Sequence, residues 1–327
     1  MKILVVLPNW LGDAVMATPA LELLVKEYKD AKFTFIGSYV TIEALQYHPY
    51  CEKAIVDRTK NDSDGRLKAT IEFAKSLGSF DIAITLRKQP HSSLLIKLVD
   101  AKLKIAKSSW HSKLLRIDKT PKIKTNKHLV IQYCELVFGG EKKFDVKEIP
   151  KLKLYIEPRK LPRKTLGINA GATYGSAKRW YPEKFAEVGA SFANEFDILI
   201  FGGPNEVDVA NDIEKELINL GVTNYTNIAG KTSIKELCEY IGGCSLFVTN
   251  DSGPMHIAAA YQIPTVAIFG PTKHLETSQW KNYKSIIVRD DIKCAPCMKR
   301  ECPLKHHKCM KNITSQRVIE ALKLLLN

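Results

Sequence analysis

The 327-residue sequence predicts an α/β protein built from two doubly wound parallel sheets in tandem. Three observations carry that expectation. Short, near-continuous apolar runs alternate with helical patterns, as parallel strands buried on both faces require. The alternation stops at a proline-rich, charged stretch near the middle and then begins again. The length is also about that of two domains of roughly 150 residues each. Two such sheets in sequence place a ligand cleft between them, at the carboxyl ends of the strands.

Each element follows from local pattern. Ile3-Leu4-Val5-Val6-Leu7 reads as a buried strand, and Ala14, Ala17, Leu21, Leu24 and Tyr28 mark one face of the helix after it. The apolar stretch from Lys2 to Val25 imitates a leader peptide. Asp13, Glu22 and the break at Pro8-Asn9-Trp10-Leu11-Gly12 favour strand, turn and helix instead. Further strands are expected at 33–36, 54–56 and 82–86, with a helix over 66–77. The second half supplies strands at 166–168, 198–201, 246–248 and 265–268, and helices near 183–193, 206–219, 233–241 and 254–260. Pro150 and the charged run 157–164 form the linker, so the domains are 1–157 and 158–327. Val318, Ile319, Leu322, Leu325 and Leu326 mark a final amphipathic helix that must cover an apolar surface, with the first domain as one candidate.

Composition narrows the function. With 45% hydrophobic and 26% charged residues, the chain is neither collagenous, coiled-coil nor wholly disordered. No window approaches 18 uncharged apolar residues, so no spanning helix is expected. Eight cysteines suit a reducing compartment, and the reading is cytoplasmic. Lys and Arg number 49 against 35 Asp and Glu, a net +14, of which +9 lies before residue 158. Between Lys97 and Lys127, ten basic residues face only Asp100 and Asp118. That excess suits phosphates on nucleic acid, a membrane surface or a phosphorylated substrate; a solvated face is the plainer alternative. Trp110, Leu114 and Leu115 sit among the charges, as they would at an interface.

Three constellations carry chemistry. In Pro8-Asn9-Trp10-Leu11-Gly12-Asp13, a strand ends, a glycine permits a tight turn and an acid opens a helix. Asp13 serves there either as a helix-start residue that offsets the dipole or as a general base towards a substrate hydroxyl. In the run 169–180, small residues let a ligand approach the backbone. Thr173 and Ser176 offer hydroxyls to phosphate and Lys178 a countercharge. In Asn250-Asp251-Ser252-Gly253-Pro254-Met255-His256, a strand runs into a helix start whose N–H groups attract an anion. Asp251 suits sugar hydroxyls rather than phosphate. His256 either reaches a bound phosphate or packs as a core side chain.

Other motifs are weaker. Gly230-Lys231-Thr232 lacks the upstream glycine of a phosphate-binding loop, and Ser233 with Glu236 is a capping box. No GxGxxG occurs, and Asp62-Ser63-Asp64 reads as a polar turn rather than a metal site. Cys294, Cys297, Cys302 and Cys309 give C-x2-C-x4-C-x6-C, which is either a zinc site or a set of packed thiols.

Taken together, these constellations resemble glycosyltransferase family 9, the bacterial ADP-heptose:lipopolysaccharide heptosyltransferases, over nearly the whole chain. The opening 8–13 motif, Lys178-Arg179-Trp180 and the cysteine-rich tail are most similar to the heptosyltransferase II branch. The resemblance implies a GT-B fold of two Rossmann-like domains facing a central cleft, with the acceptor at the N-terminal domain and the donor at the C-terminal one. It implies an inverting transfer of L-glycero-D-manno-heptose from ADP-heptose to the first heptose of a phosphorylated lipid A–Kdo acceptor. No cofactor is implied, and a role for a divalent cation stays open. Asp13 is then the base. Lys178, Ser252, Gly253 and His256 meet the diphosphate, Thr173 lies near the donor phosphates, with Ser176 added to the donor site on its hydroxyl alone, and Asp251 lies near the donor sugar. Tyr174 stands where some relatives have Thr. Asn9, Trp10, Lys102, Lys104 and Lys107 are assigned to the acceptor, which implies contact with the inner-membrane surface and none with nucleic acid. The alternatives are a zinc-stabilised nucleic-acid-binding protein and a GT-B transferase for another nucleotide-sugar. The first lacks a basic–aromatic platform.

Overall fold

The computed structural model describes residues 1–61 and 65–326, and Asp62-Ser63-Asp64 lies outside the described residues. The chain divides into two compact units, Met1–Tyr155 and Ile156–Asn327.

The first unit runs β1 (Lys2–Val6), α1 (Leu11–Met16), α2 (Thr18–Glu27), β2 (Lys32–Gly37), α3 (Tyr39–Leu45), β3 (Cys51–Val56), α4 (Arg66–Ser76), β4 (Ser79–Thr85), α5 (Pro90–Leu98), β5 (Asp100–Ala106), α6 (Trp110–Leu114) and α7 (Leu129–Val137). All five strands are parallel, in the order β3-β2-β1-β4-β5. The central strand β1 buries Ile3, Leu4, Val5 and Val6 completely. That is why it reads as an unbroken apolar run rather than an alternating one. The single helix expected after it is two, because Pro19 opens α2 in its first turn. Strand β5 carries Lys102 and Lys104 on an edge with one neighbour, so its alternation of charge and apolar residues is that of a half-exposed strand.

The second unit runs β6 (Thr165–Asn169), α8 (Pro182–Phe192), β7 (Asp197–Phe201), α9 (Val207–Asn219), β8 (Tyr225–Asn227), α10 (Ile234–Gly243), β9 (Leu246–Asn250), α11 (Gly253–Ala260), β10 (Thr265–Phe269), α12 (His274–Thr277), β11 (Ser285–Arg289), α13 (Lys308–Lys311) and α14 (Ser315–Leu324). Its parallel sheet has the order β11-β10-β9-β6-β7-β8. Ser233 and Glu236 form the expected capping box at α10. Helix α14 packs on α8, β10 and β11 of its own unit, burying Val318, Ile319 and Leu322 in that core. Its apolar stripe is therefore used within the second unit.

Each sheet reverses its winding once, between β1 and β4 in the first unit and between β6 and β9 in the second. Loops leaving the carboxyl ends of the two strands at such a point run to opposite faces and leave a crevice. Both candidate sites lie there.

Candidate active site

In the first unit, the crevice is a cavity of about 230 Å³. The loop after β1 contributes Asn9 and Trp10; the first turn of α1, Asp13; the loop after β4, Arg87 and Lys88; the residue after β5, Lys107; and α7, Gln132 and Tyr133. Trp10 is the N-cap of α1, and no side chain caps that helix. Asp13 sits in the first turn, half-buried, where its charge offsets the helix dipole and it also lines the cavity. Its carboxylate stands near the buried Tyr133 phenol, which burial first and that charge second push well up.

Three cations share the cavity with this one acid. Lys107 donates to Gln132 Oε1 at 3.0 Å, and burial, then the charge of Lys88, depress its pKa. The Arg87 guanidinium donates from Nε to Leu7 O at 2.6 Å and from Nη1 to Asp57 Oδ2 at 3.3 Å. Burial opposes ionisation of Asp57, yet hydrogen bonds from His91 and Thr59 and the charge of Arg87 hold its carboxyl well below the usual range. A buried guanidinium paired this way is fixed in place and stays charged.

Of the five acceptor residues expected from sequence, the structure brings Asn9, Trp10 and Lys107 together here. Lys102 and Lys104 lie elsewhere. Lys102 Nζ pairs with Asp81 at 2.7 Å, and Asp81 also accepts from Lys2 N, which marks the amino end of the sheet. Lys104 Nζ donates to Lys97 O. Charge counting along the chain could not separate them, because β5 spans the sheet and only its carboxyl end meets the cavity. Arg87, Lys88, Gln132 and Tyr133 were missed. For Arg87 and Lys88 the signal was present, as they directly follow a recognised strand. Gln132 and Tyr133 reach the cavity from a distant helix and leave no local mark.

In the second unit, side chains tie the two loops of the crevice together. Lys178 Nζ meets Asp251 Oδ2 at 2.6 Å and Asp251 O at 3.1 Å, and Thr272 Oγ1 donates to the same carboxylate oxygen at 2.6 Å. Asn169 Nδ2 donates to Ser252 Oγ and Thr249 Oγ1, while Asn250 holds Trp180 N and Ala170 O. Ser252 is the N-cap of α11 but gives the helix no side-chain capping bond. Gly253 opens that helix, and His256 is buried in its first turn at 3% exposure. Thr173 and Ser176 are exposed on the loop, and Thr173 Oγ1 donates to the buried carboxylate of Glu206. At Gly171 a Cβ would come within 2.0 Å of that carboxylate, so no other residue fits without displacing it.

The cysteine-rich segment braces this loop from behind. Ala177 N donates to Arg300 O, Tyr174 hydroxyl to Met298 O, and His307 joins Ala177 O through Nε2 and Tyr181 hydroxyl through Nδ1. Cys302 Sγ accepts from His307 N. Burial, and then the nearness of Cys297, Cys294 and Cys302, pushes the Cys309 thiol up to about 11. Among the described residues no group of three or more His, Cys, Asp or Glu is arranged to hold a metal ion. Of the four cysteines of this segment, Cys309 packs beside Met310 against Gly270, and Cys302 accepts a backbone bond.

The arrangement offers one carboxylate among cations at the first crevice, and a lysine beside an uncapped helix start at the second. The family model described as glycosyltransferase family 9 (heptosyltransferase) matches residues 70–308. Lipooligosaccharide heptosyltransferase 2 of Campylobacter jejuni is 39% identical, over all of this chain and 98% of the relative. The protein of the same name from Haemophilus influenzae is 27% identical, over 100% and 99%. The solved structure of E. coli ADP-heptose LPS heptosyltransferase II matches with a TM-score of 0.84 at 24% identity, over 100% of this chain and 98% of that one. E. coli heptosyltransferase WaaC with ADP matches with a TM-score of 0.79 at 17% identity, over 99% and 100%. The likeness to these two structures is one of fold, the GT-B type.

Proposed function

The chain belongs to glycosyltransferase family 9, and from that premise we propose that it is the heptosyltransferase that moves L-glycero-D-manno-heptose from ADP-heptose to the first heptose of a lipid A–Kdo acceptor. The observation that carries the reading is that Asp13 lines one crevice together with three cations, while in the other Lys178, paired with Asp251, stands beside a helix start that has no side-chain cap. The first suits an acidic acceptor that must lose a hydroxyl proton; the second suits a diphosphate that must leave.

In the proposed step, the Asp13 carboxylate takes the proton of the acceptor hydroxyl as that oxygen attacks C1 of the heptose. The new C1–O bond forms on the face opposite the leaving group, so the configuration inverts. The bond from C1 to the β-phosphate oxygen breaks, and ADP departs with the electron pair. Lys178 has three donors. Two are engaged by Asp251, and the third meets the charge that grows on the diphosphate, together with the amides at the start of α11. Thr173 and Ser176 bind phosphate oxygens. Asp251 orients Lys178 and accepts from the donor sugar, and His256 supports the helix start from its buried side. Arg87, Lys88 and Lys107 hold acidic groups of the acceptor, with Asn9 and Trp10 on the sugar.

The protein on this reading works at the cytoplasmic face of the inner membrane, held there by surface contact. Among the described residues no helix is long and apolar enough to cross a membrane. The test is transfer itself: ADP-heptose and heptosyl-Kdo-lipid A are incubated with the protein, and ADP release and product mass are followed. The reading requires both with wild type and neither with Asp13→Asn. Wild type that hydrolyses or ignores ADP-heptose, or that uses another nucleotide-sugar instead, overturns it.

A further inference from the structure

Helix α6 presents two large apolar side chains to solvent. Trp110 and Leu114 are each 73% exposed, and their i, i+4 spacing puts them on one face. The opposite face is anchored. Ser109 and Ser112 cap each other, Ser112 is fully buried, and His111 is joined through Nδ1 to Ser93 Oγ at 3.0 Å. A helix of five residues fastened beneath and bare above is a rigid mount for its two outer side chains.

Its surroundings are basic. Lys113, Arg116, Lys122 and Lys124 are exposed, and none pairs with an acid among the described residues. Asp118, the one acid between Lys107 and Lys127, is occupied by the backbone N–H of Lys104. The helix also stands at the rim of the first-unit cavity. It begins three residues after Lys107, and its partner Ser93 lies in the first turn of α5, directly after the cavity residues Lys88 and Gln89.

We propose that α6 is the membrane foot of this protein: Trp110 and Leu114 enter the headgroup region of an anionic lipid surface while Lys113, Arg116, Lys122 and Lys124 meet its phosphates. Two side chains are too small an apolar area for a stable protein interface. They are enough for an interfacial anchor, where a tryptophan ring sits at headgroup depth and neighbouring cations add attraction. Charge complementarity commits the face to an anionic surface. The inference rests on the reading that the acceptor is a lipid-linked saccharide, and the position of the foot would bring the cavity to the plane in which that acceptor's sugar stands.

The test is co-sedimentation with vesicles of phosphatidylglycerol and phosphatidylethanolamine, and separately with phosphatidylcholine vesicles, for wild type and for Trp110→Ser/Leu114→Ser. Wild type is expected to favour the anionic vesicles, and the double variant to lose roughly tenfold in partition with an unchanged unfolding midpoint. Turnover follows the same split: down for an acceptor embedded in vesicles, unchanged for the same acceptor freed of its acyl chains. A double variant that sediments like wild type overturns the proposal, as does a wild type that ignores anionic vesicles or binds phosphatidylcholine equally well. A wild type that binds the anionic vesicles but glycosylates neither acceptor instead sinks the functional reading and leaves the foot standing.

Discussion

In the first unit the loops after β1 and β4 stand around a cavity in which burial and then the charge of Lys88 depress the pKa of Lys107, Asp57 pairs with Arg87 behind the wall, and Asp13 is the acid in the lining. In the second the loops after β6 and β9 are tied by Lys178 to Asp251, Asn169 to Ser252 and Asn250 to Trp180. The same topological reversal thus produces two electrostatic states. One has surplus positive charge that a ligand must neutralise, and it accordingly suits an acceptor of several acidic groups. The other has its lysine already paired and its loops held in shape, so that a diphosphate would meet donors that need little reorganisation. The cysteine-rich tail strengthens that second state, because it fastens the loop carrying Lys178 at Ala177 and Tyr174.

The comparison can be broken most severely at Asp13. Asp13→Asn keeps the volume and removes the base, so kcat should fall by about 100- to 10,000-fold with ADP binding intact. A variant retaining most of its kcat would leave the first crevice without a chemical role. Next in size is the brace. His307→Phe keeps a ring but loses the bonds to Ala177 and Tyr181, and should weaken ADP binding roughly five- to tenfold while the acceptor KM stays put. His307→Gln, which can still donate to Ala177, should recover much of the loss. Equal loss for both variants, or a matching rise in acceptor KM, would mean that His307 serves the fold in general.

Smaller effects separate the lysines of β5 from the one at its end. Lys107→Gln should raise the acceptor KM several-fold, whereas Lys102→Glu at the far end of the sheet should leave it unchanged. Steady-state kinetics on the two variants decides between the cavity and the whole basic segment as the acceptor surface. The smallest effect concerns stability. Asp57 has a folded pKa below its unfolded one, so its pairing stabilises the fold above the ordinary carboxylate range near pH 4 and is lost as pH falls below it. Unfolding midpoints between pH 5 and pH 2 should therefore decline less steeply for Asp57→Asn than for wild type.

Much of the fold was legible because parallel strands buried on both faces announce themselves, as 3–7 and 246–248 do. Strands β5, β8 and β11 were not read. The first alternates lysines with apolar residues at an edge, the second is three residues long, and the third is only partly buried. Residues of the two crevices were legible where they follow a strand within one motif, as Asp13, Lys178 and Asp251 do. The cavity wall from α7 was not, since Gln132 and Tyr133 carry no pattern apart from the helix that holds them. The cysteine spacing gave no sign that the segment carrying it braces the loop of Lys178, because spacing along the chain does not report what a segment packs against.

The central claim is that the second unit holds the diphosphate through Lys178. Calorimetric titration of ADP into wild type and Lys178→Ala, at two salt concentrations, tests it most directly. Saturable binding that the substitution weakens at least about tenfold, with a smaller salt dependence in the variant, is the predicted result. A folded wild type that does not bind ADP, or a variant that binds it equally well, would contradict the account.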